Sequence, residues 1–337
     1  MRTKSFHHLL IGSILLANIV NFAVAAEPQH QTHLAKDHAS PLVVLKEAVG
    51  LLPASAAKSA VTNQEMDLFG KIAGGHLNQV NFSEAVLAVA GVTDAKTQQH
   101  YLAKLDKITD DARQGTDKFS KPDDKANYLV DYLRKGPLSG GPESGQVNML
   151  KLLDEGKFNC VSSAILYTLI GTQLGLKTNP VSVPEHVYLH MGDSYIEPTL
   201  GFTYTEKNHQ WVENELWKTA TDYWKSVFGT ARHYESNNMG LLGQVYYDRN
   251  GKLASNRQYE AASILALKAL CLNSDQPIFT YSVKLDLRAW FKDTLNQKNY
   301  DKAQKIAAIY GQLFGDDSNE FFQQVAAARS GRAVAKS

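Results

Sequence analysis

The sequence predicts an α+β protein: one apolar helix followed by a small antiparallel sheet, with a helical layer ahead of it and an all-α, repeat-like region behind. Three observations predict this. Apolar residues recur at three- and four-residue steps through most of the first half and again near the end, the period of helices with one buried stripe. Between Asn179 and Glu197 the chain instead breaks into short extended runs separated by turn residues. Two similar units, Arg257-Gln-Tyr-Glu-Ala-Ala and Lys298-Asn-Tyr-Asp-Lys-Ala, then lead helices near the end, each behind an apolar helix. At 337 residues the chain is long enough for a main core and a smaller second unit.

Arg2 and Lys4 precede an apolar run from Leu9 to Val20 and the small residues Ala23, Val24, Ala25 and Ala26, the layout of an export signal over residues 1–26 cleaved near Ala25 or Ala26. A periplasmic or secreted protein is expected. The alternative is an uncleaved anchor, but the run is short for a bilayer, so no stable membrane span is expected after cleavage. Residues 27–40 read as a flexible polar tail. Its His30, His33 and His38 are a solvated linker or a weak metal tract, and with no Cys and little acid nearby the linker is the expectation.

Residues 41–232 are expected to form the helical layer plus a central domain, and 233–330 a helical tail. Helical patterns run from Pro41 to Leu52, Asn63 to Ile72, Ser83 to Val89 behind a Ser83 cap, Asp94 to Gln114, and Pro122 to Arg134 with Tyr128, Leu129, Tyr132 and Leu133 buried. The run GPLSGGPESG, residues 136–145, reads as a loop that is neither helix nor paired strand, and it lacks the Lys of a phosphate cradle. Val147 to Leu153 is a short helix broken by Gly156. Cys160 to Leu174 is a strongly apolar helix ended by Gly175. The extended runs are Asn179–Val183, His186–Met191 and Tyr195–Glu197. A helix from Glu213 to Val227 follows, in a region holding Trp211, Trp217 and Trp224, read as core packing. In the tail the apolar helices Leu241–Tyr247 and Leu285–Leu295 each precede one of the two similar units, whose own helices run through Leu270 and Leu313.

Formal net charge is +1, and no run of Lys or Arg exceeds two residues, so no field attracts nucleic acid and no nucleic-acid partner is expected. The only cysteines are Cys160 and Cys271. Too few for a disulfide framework, they leave stability to packing, with a single Cys160–Cys271 bridge as the bland alternative.

Cys160 opens its helix, where unpaired backbone N–H groups and the positive dipole end favour a thiolate and are placed to hold an oxyanion. His186 opens a strand that can bring an imidazole to that sulfur, and Glu197 lies on the next strand, where it can orient the ring. Asn159 is the candidate oxyanion donor, or else a turn residue bonding its own backbone. Each has a plain alternative: a buried hydrophobe for the cysteine, a strand residue sharing a face with Tyr188 and His190 for the histidine, a turn acid before Pro198 for the glutamate.

The segments Gly156-Lys-Phe-Asn-Cys-Val-Ser-Ser-Ala-Ile-Leu-Tyr, Val183-Pro-Glu-His-Val and Ile196-Glu-Pro-Thr resemble bacterial transglutaminase-like proteins of the SirB1 type, within the papain-like thiol fold. The resemblance covers roughly the middle quarter of the chain. It implies Cys160 as nucleophile, His186 as base and Glu197 as orienting acid, although the wider superfamily uses Asp at the last position and no upstream oxyanion side chain is identified. It also implies acyl transfer on a carboxamide or peptide carbonyl through a thioester, with no cofactor and no metal. The two tail units resemble tetratricopeptide repeats, but their spacing exceeds that period and the first-helix signature is missing.

Two function classes remain open. One is an exported thiol hydrolase or acyltransferase acting on a peptide or protein substrate, with a protein partner on the C-terminal helices. The other is a catalytically inactive scaffold that binds peptides or proteins. Beside these two, His186, His190 and Glu197 are a less expected metal site.

Overall fold

A computed structural model describes residues 39–183, 185–205, 208, 214, 217 and 233–331. It is α+β, mostly helical with a small antiparallel sheet and an all-helical C-terminal region. Among the described residues, 80–245 form one compact unit, and 39–79 with 246–331 form another. The helices of residues 41–79 thus group with the C-terminal helices, apart from residues 80–245. Helix Pro41–Gly50 buries Val44, Leu45 and Ala48, and it packs on helices Tyr259–Leu272 and Tyr300–Phe314. An apolar stripe shows that a helix is covered but not by what.

In the first unit, helix Phe82–Val89 is capped by Asn81, whose side chain accepts from Glu84 N. Ser83, the expected cap, lies inside the helix and is buried. Helix Ala95–Thr116 starts on Asp94, which accepts from Thr97 N at 2.8 Å. Helix Pro122–Lys135 follows, and Leu129, Val130 and Leu133 are buried in it. Tyr128 and Tyr132, expected in the core, are only half-buried and stack on each other.

The glycine-rich loop departs from expectation. Gly141–Pro142 (β1) pairs in parallel with Lys157–Phe158 (β2), joining Gly141 to Lys157 and Pro142 to Phe158. Two-residue strands carry no periodicity to read. Helix Met149–Glu155 ends at Gly156, which is left-handed at φ 67°. A Cβ on Gly156 would stand 2.8 Å from Gly140 N, so the loop crosses the turn where neither residue leaves room for a side chain.

Helix Cys160–Gln173 is buried from Val161 to Gly171. A helix apolar on all sides must be enclosed, and here it packs on Thr178–Val183 (β3) and His186–Met191 (β4). Each fully buried Leu or Ile contributes roughly 1.5–3 kcal/mol. Ser194–Glu197 (β5), Phe202–Tyr204 (β6) and Tyr234–Glu235 (β7) complete an antiparallel sheet of order β6-β5-β4-β3-β7. The three strands expected from sequence lie together within it. Val181, Val183, Tyr188 and Tyr204 form an apolar cluster bordered by Tyr195, Leu200 and Phe202. The expected helix from 213 to 227 falls almost wholly outside the described residues, as do Trp211, Trp224, the export signal and most of the tail from 27 to 40.

In the second unit, helix Tyr259–Leu272 pairs with Pro277–Asn296, which packs on Tyr300–Phe314, and Asn319–Arg329 follows. Ala262 and Ala303, the small residues of the two similar units, are fully buried. Arg257 and Lys298, which open those units, are both left-handed, with φ 59° and 61°. The two units therefore share turn geometry as well as sequence. No described helix is long and apolar enough to cross a membrane.

Candidate active site

Cys160 stands at the first position of its helix, half-buried, with Asn159 as the N-cap. Asn159 Oδ1 accepts from Ser162 N at 2.9 Å, and Ser162 Oγ accepts from Asn159 N at 3.0 Å, a reciprocal capping box. The Asn159 carboxamide thus fastens the helix start. A tether from outside the helix adds to this, because Ser162 Oγ donates to Gln146 O at 2.7 Å.

Gln146 went unnoticed in the sequence. It is 6 % exposed. Its Nε2 donates to Lys157 O at 2.8 Å and Asn148 O at 3.0 Å, while Oε1 accepts from Asn148 N at 2.9 Å. It therefore locks the end of the loop to β2, and β2 leads into Cys160. A lone Gln after a glycine-rich stretch carries no pattern that would have singled it out.

His186 and Glu197 are 8 % and 3 % exposed. Antiparallel pairing sets Leu189 opposite Ile196, so Glu197, one residue further, lies diagonally across the ladder from His186. His186 Nε2 donates to Glu197 Oε2 at 2.7 Å, and Glu197 Oε1 accepts from Thr199 N at 3.0 Å. Cys160 is close enough to His186 to act on the imidazole as a hydrogen-bond and charge partner. With Nε2 committed to Glu197, Nδ1 is the ring nitrogen left to serve a nucleophile.

Burial works against a charged imidazole here. The negative charge of Glu197 and hydrogen bonds with Cys160 and Glu197 outweigh it and hold His186 well above its ordinary value of 6.5. Glu185, just before His186, is left-handed at φ 59° although it is not glycine.

Neither cysteine is bonded to another, so the Cys160–Cys271 bridge is absent. The alternative metal trio is also not assembled: His190 stacks on Tyr195 at 4.7 Å, and among the described residues no group of three His, Cys, Asp or Glu could hold a metal ion. Tyr167 and Tyr188 are fully buried in the core.

No curated protein and no solved structure gives a significant match to the chain. The stretch that holds Cys160, His186 and Glu197 is nonetheless similar to a known domain family: residues 99–226 match the family model described as the transglutaminase-like superfamily.

Proposed function

We propose that the protein is an exported thiol enzyme, a hydrolase or acyltransferase for amide, peptide or isopeptide bonds, with Cys160 as nucleophile, His186 as base and acid, and Glu197 as the orienting carboxylate. The observation that carries this reading is one imidazole bonded at 2.7 Å to a buried carboxylate, with a half-buried thiol at a helix start close enough to perturb it. Export is read from residues 1–26, and a protein partner is assigned to the C-terminal helices with their tetratricopeptide-like units.

The chemistry follows from those atoms. The Cys160 proton passes to His186 Nδ1, leaving a thiolate and an imidazolium that Glu197 stabilises. The thiolate adds to the substrate carbonyl, whose oxygen gathers the displaced electron pair. Backbone N–H groups at the start of the first helical turn, other than the capped Ser162 N, are the donors assigned to that oxyanion. As the C–N bond breaks, His186 gives its proton to the leaving amine and a thioester remains. Water or a second amine, deprotonated by His186, then attacks the thioester and releases the acyl group, and the proton returns to sulfur.

The test is alkylation by iodoacetamide, followed at Cys160 by peptide mass spectrometry across pH 5–9, with an amidated and crosslinked peptide library assayed in parallel. Cys160 should alkylate well below the roughly pH 8.5 midpoint of a free thiol, and His186→Ala should remove that advantage. Library turnover should vanish in Cys160→Ala. Labelling like an ordinary thiol, with no turnover, would instead favour the inactive peptide-binding scaffold.

A further inference from the structure

We propose that Arg134 is a positioning residue for this site, tying the turn that carries Glu197 to the strand that delivers Cys160. The inference rests on the reading of Cys160, His186 and Glu197 as one catalytic set.

Arg134 belongs to helix Pro122–Lys135, which supplies none of those three residues. Its Nη1 donates to Thr199 O at 3.2 Å, and Thr199 N in turn donates to Glu197 Oε1 at 3.0 Å. The guanidinium also lies over the Phe158 ring, 5.7 Å from its centroid. Phe158 is fully buried and stands two residues before Cys160. One side chain therefore touches both approaches to the site.

The turn is shaped around this contact. Gly201 N donates to Glu197 O at 2.8 Å, closing residues 197–201. Gly201 is left-handed at φ 69°, and a Cβ there would collide with the Arg134 side chain. The buried Tyr167 hydroxyl, on the nucleophile helix, is close enough to feel both charges. Burial pushes it up, Arg134 pulls it down and Glu197 pushes it up again. Arg134 reaches Glu197 through Thr199 instead of by direct ion pairing, so it orients the carboxylate without claiming an oxygen that His186 needs. A planar guanidinium can stack on a ring while donating from its edge, which an ammonium cannot do as well.

Loss of this brace lets the turn move, and small misplacements of an orienting group are costly. The experiment compares full-length wild type, Arg134→Met and Arg134→Lys by the Cys160 alkylation profile from pH 5 to 9, with urea unfolding run alongside. Arg134→Met should slow alkylation at pH 6 roughly tenfold, with little change at pH 9, moving the profile toward that of a free thiol. Arg134→Lys keeps one donor for Thr199 O and should recover part of the loss. If Arg134→Met does not fold, Arg134→Gln, uncharged and too short to reach Thr199 O, must give the same shift. An unchanged profile in a folded variant, or no recovery with Lys, overturns the inference while leaving the catalytic set intact. A wild type that already labels as an ordinary thiol overturns both.

Discussion

Glu197 and Glu65 are both nearly inaccessible, 3 % and 4 % exposed, and each bonds a basic nitrogen, His186 at 2.7 Å and Lys268 at 2.9 Å. The two clusters end differently. Glu65 Oε1 accepts from Tyr246 Oη and Lys268 Nζ, and Oε2 accepts from Thr62 N at 2.7 Å as half of a capping box. That network closes on itself inside the second unit. Burial pulls Lys268 below its ordinary value, with Glu65 opposing, and pushes the Tyr246 hydroxyl well up. The Glu197 network opens instead, since its imidazole is also acted on by the half-buried Cys160 side chain. The cysteines repeat the contrast. Cys271 is buried near the end of helix Tyr259–Leu272, where burial pushes its thiol up and leaves it inert, while Cys160 heads a helix beside an imidazole. A buried charge is therefore a poor marker of function by itself, and a buried charge with an outlet to a nucleophile is a better one.

The largest expected effect separates the two carboxylates by stability. Glu65→Ala strands the Lys268 ammonium and should cost about 3–5 kcal/mol in urea unfolding at pH 7. Glu197→Ala should cost only about 1–3 kcal/mol, because an imidazole can stay buried in its neutral form. Equal losses would erase the distinction.

A third buried carboxylate sharpens it. Asp286 has neutral partners, Asn250 Nδ2 at 2.6 Å and Ser282 Oγ at 3.2 Å, and burial raises it from 3.8 to about 7. Because the folded value lies above the unfolded one, its contribution to stability is complete below about pH 3.8 and is lost as pH rises through about 7. Unfolding free energy should fall by roughly 2–3 kcal/mol between pH 5 and pH 8 from this group, and Asp286→Asn should remove that slope. The His186 contribution has the same sign: it is full below 6.5 and declines above it toward the raised folded value. A slope that survives in Asp286→Asn above about pH 6.5 therefore belongs to His186, and one that survives between about pH 5 and 6.5 would have to come from elsewhere.

The smallest effect concerns backbone. Glu185→Gly relieves a left-handed residue but frees the unfolded chain, so stability should change by less than about 1 kcal/mol. Its Cys160 alkylation profile should match wild type, since Glu197 holds the imidazole. A shifted profile at unchanged stability would mean that the strained residue positions His186.

Much of the central region was legible without coordinates. The strand His186–Met191 has the expected ends, and the helix from Cys160 has the expected start, because an apolar run framed by Asn159 and Gly175 leaves few alternatives. The Ser83 cap was misassigned by two residues, since Asn81 and Ser83 are both competent caps and only backbone geometry chooses between them. The pairing of residues 141–142 with 157–158, the Gln146 lock and the Arg134 brace were illegible, because each joins atoms distant along the chain without any periodic signature.

Sequence alone determined which residue types begin and end the central elements, since caps, turns and apolar periods act over a few neighbours. Only the tertiary structure decided that helix Pro41–Gly50 packs with the C-terminal helices, and that one imidazole lies between Glu197 and Cys160. Those outcomes depend on which buried faces fit one another, and the fit of two surfaces is a property of the folded chain that no local stretch of residues encodes.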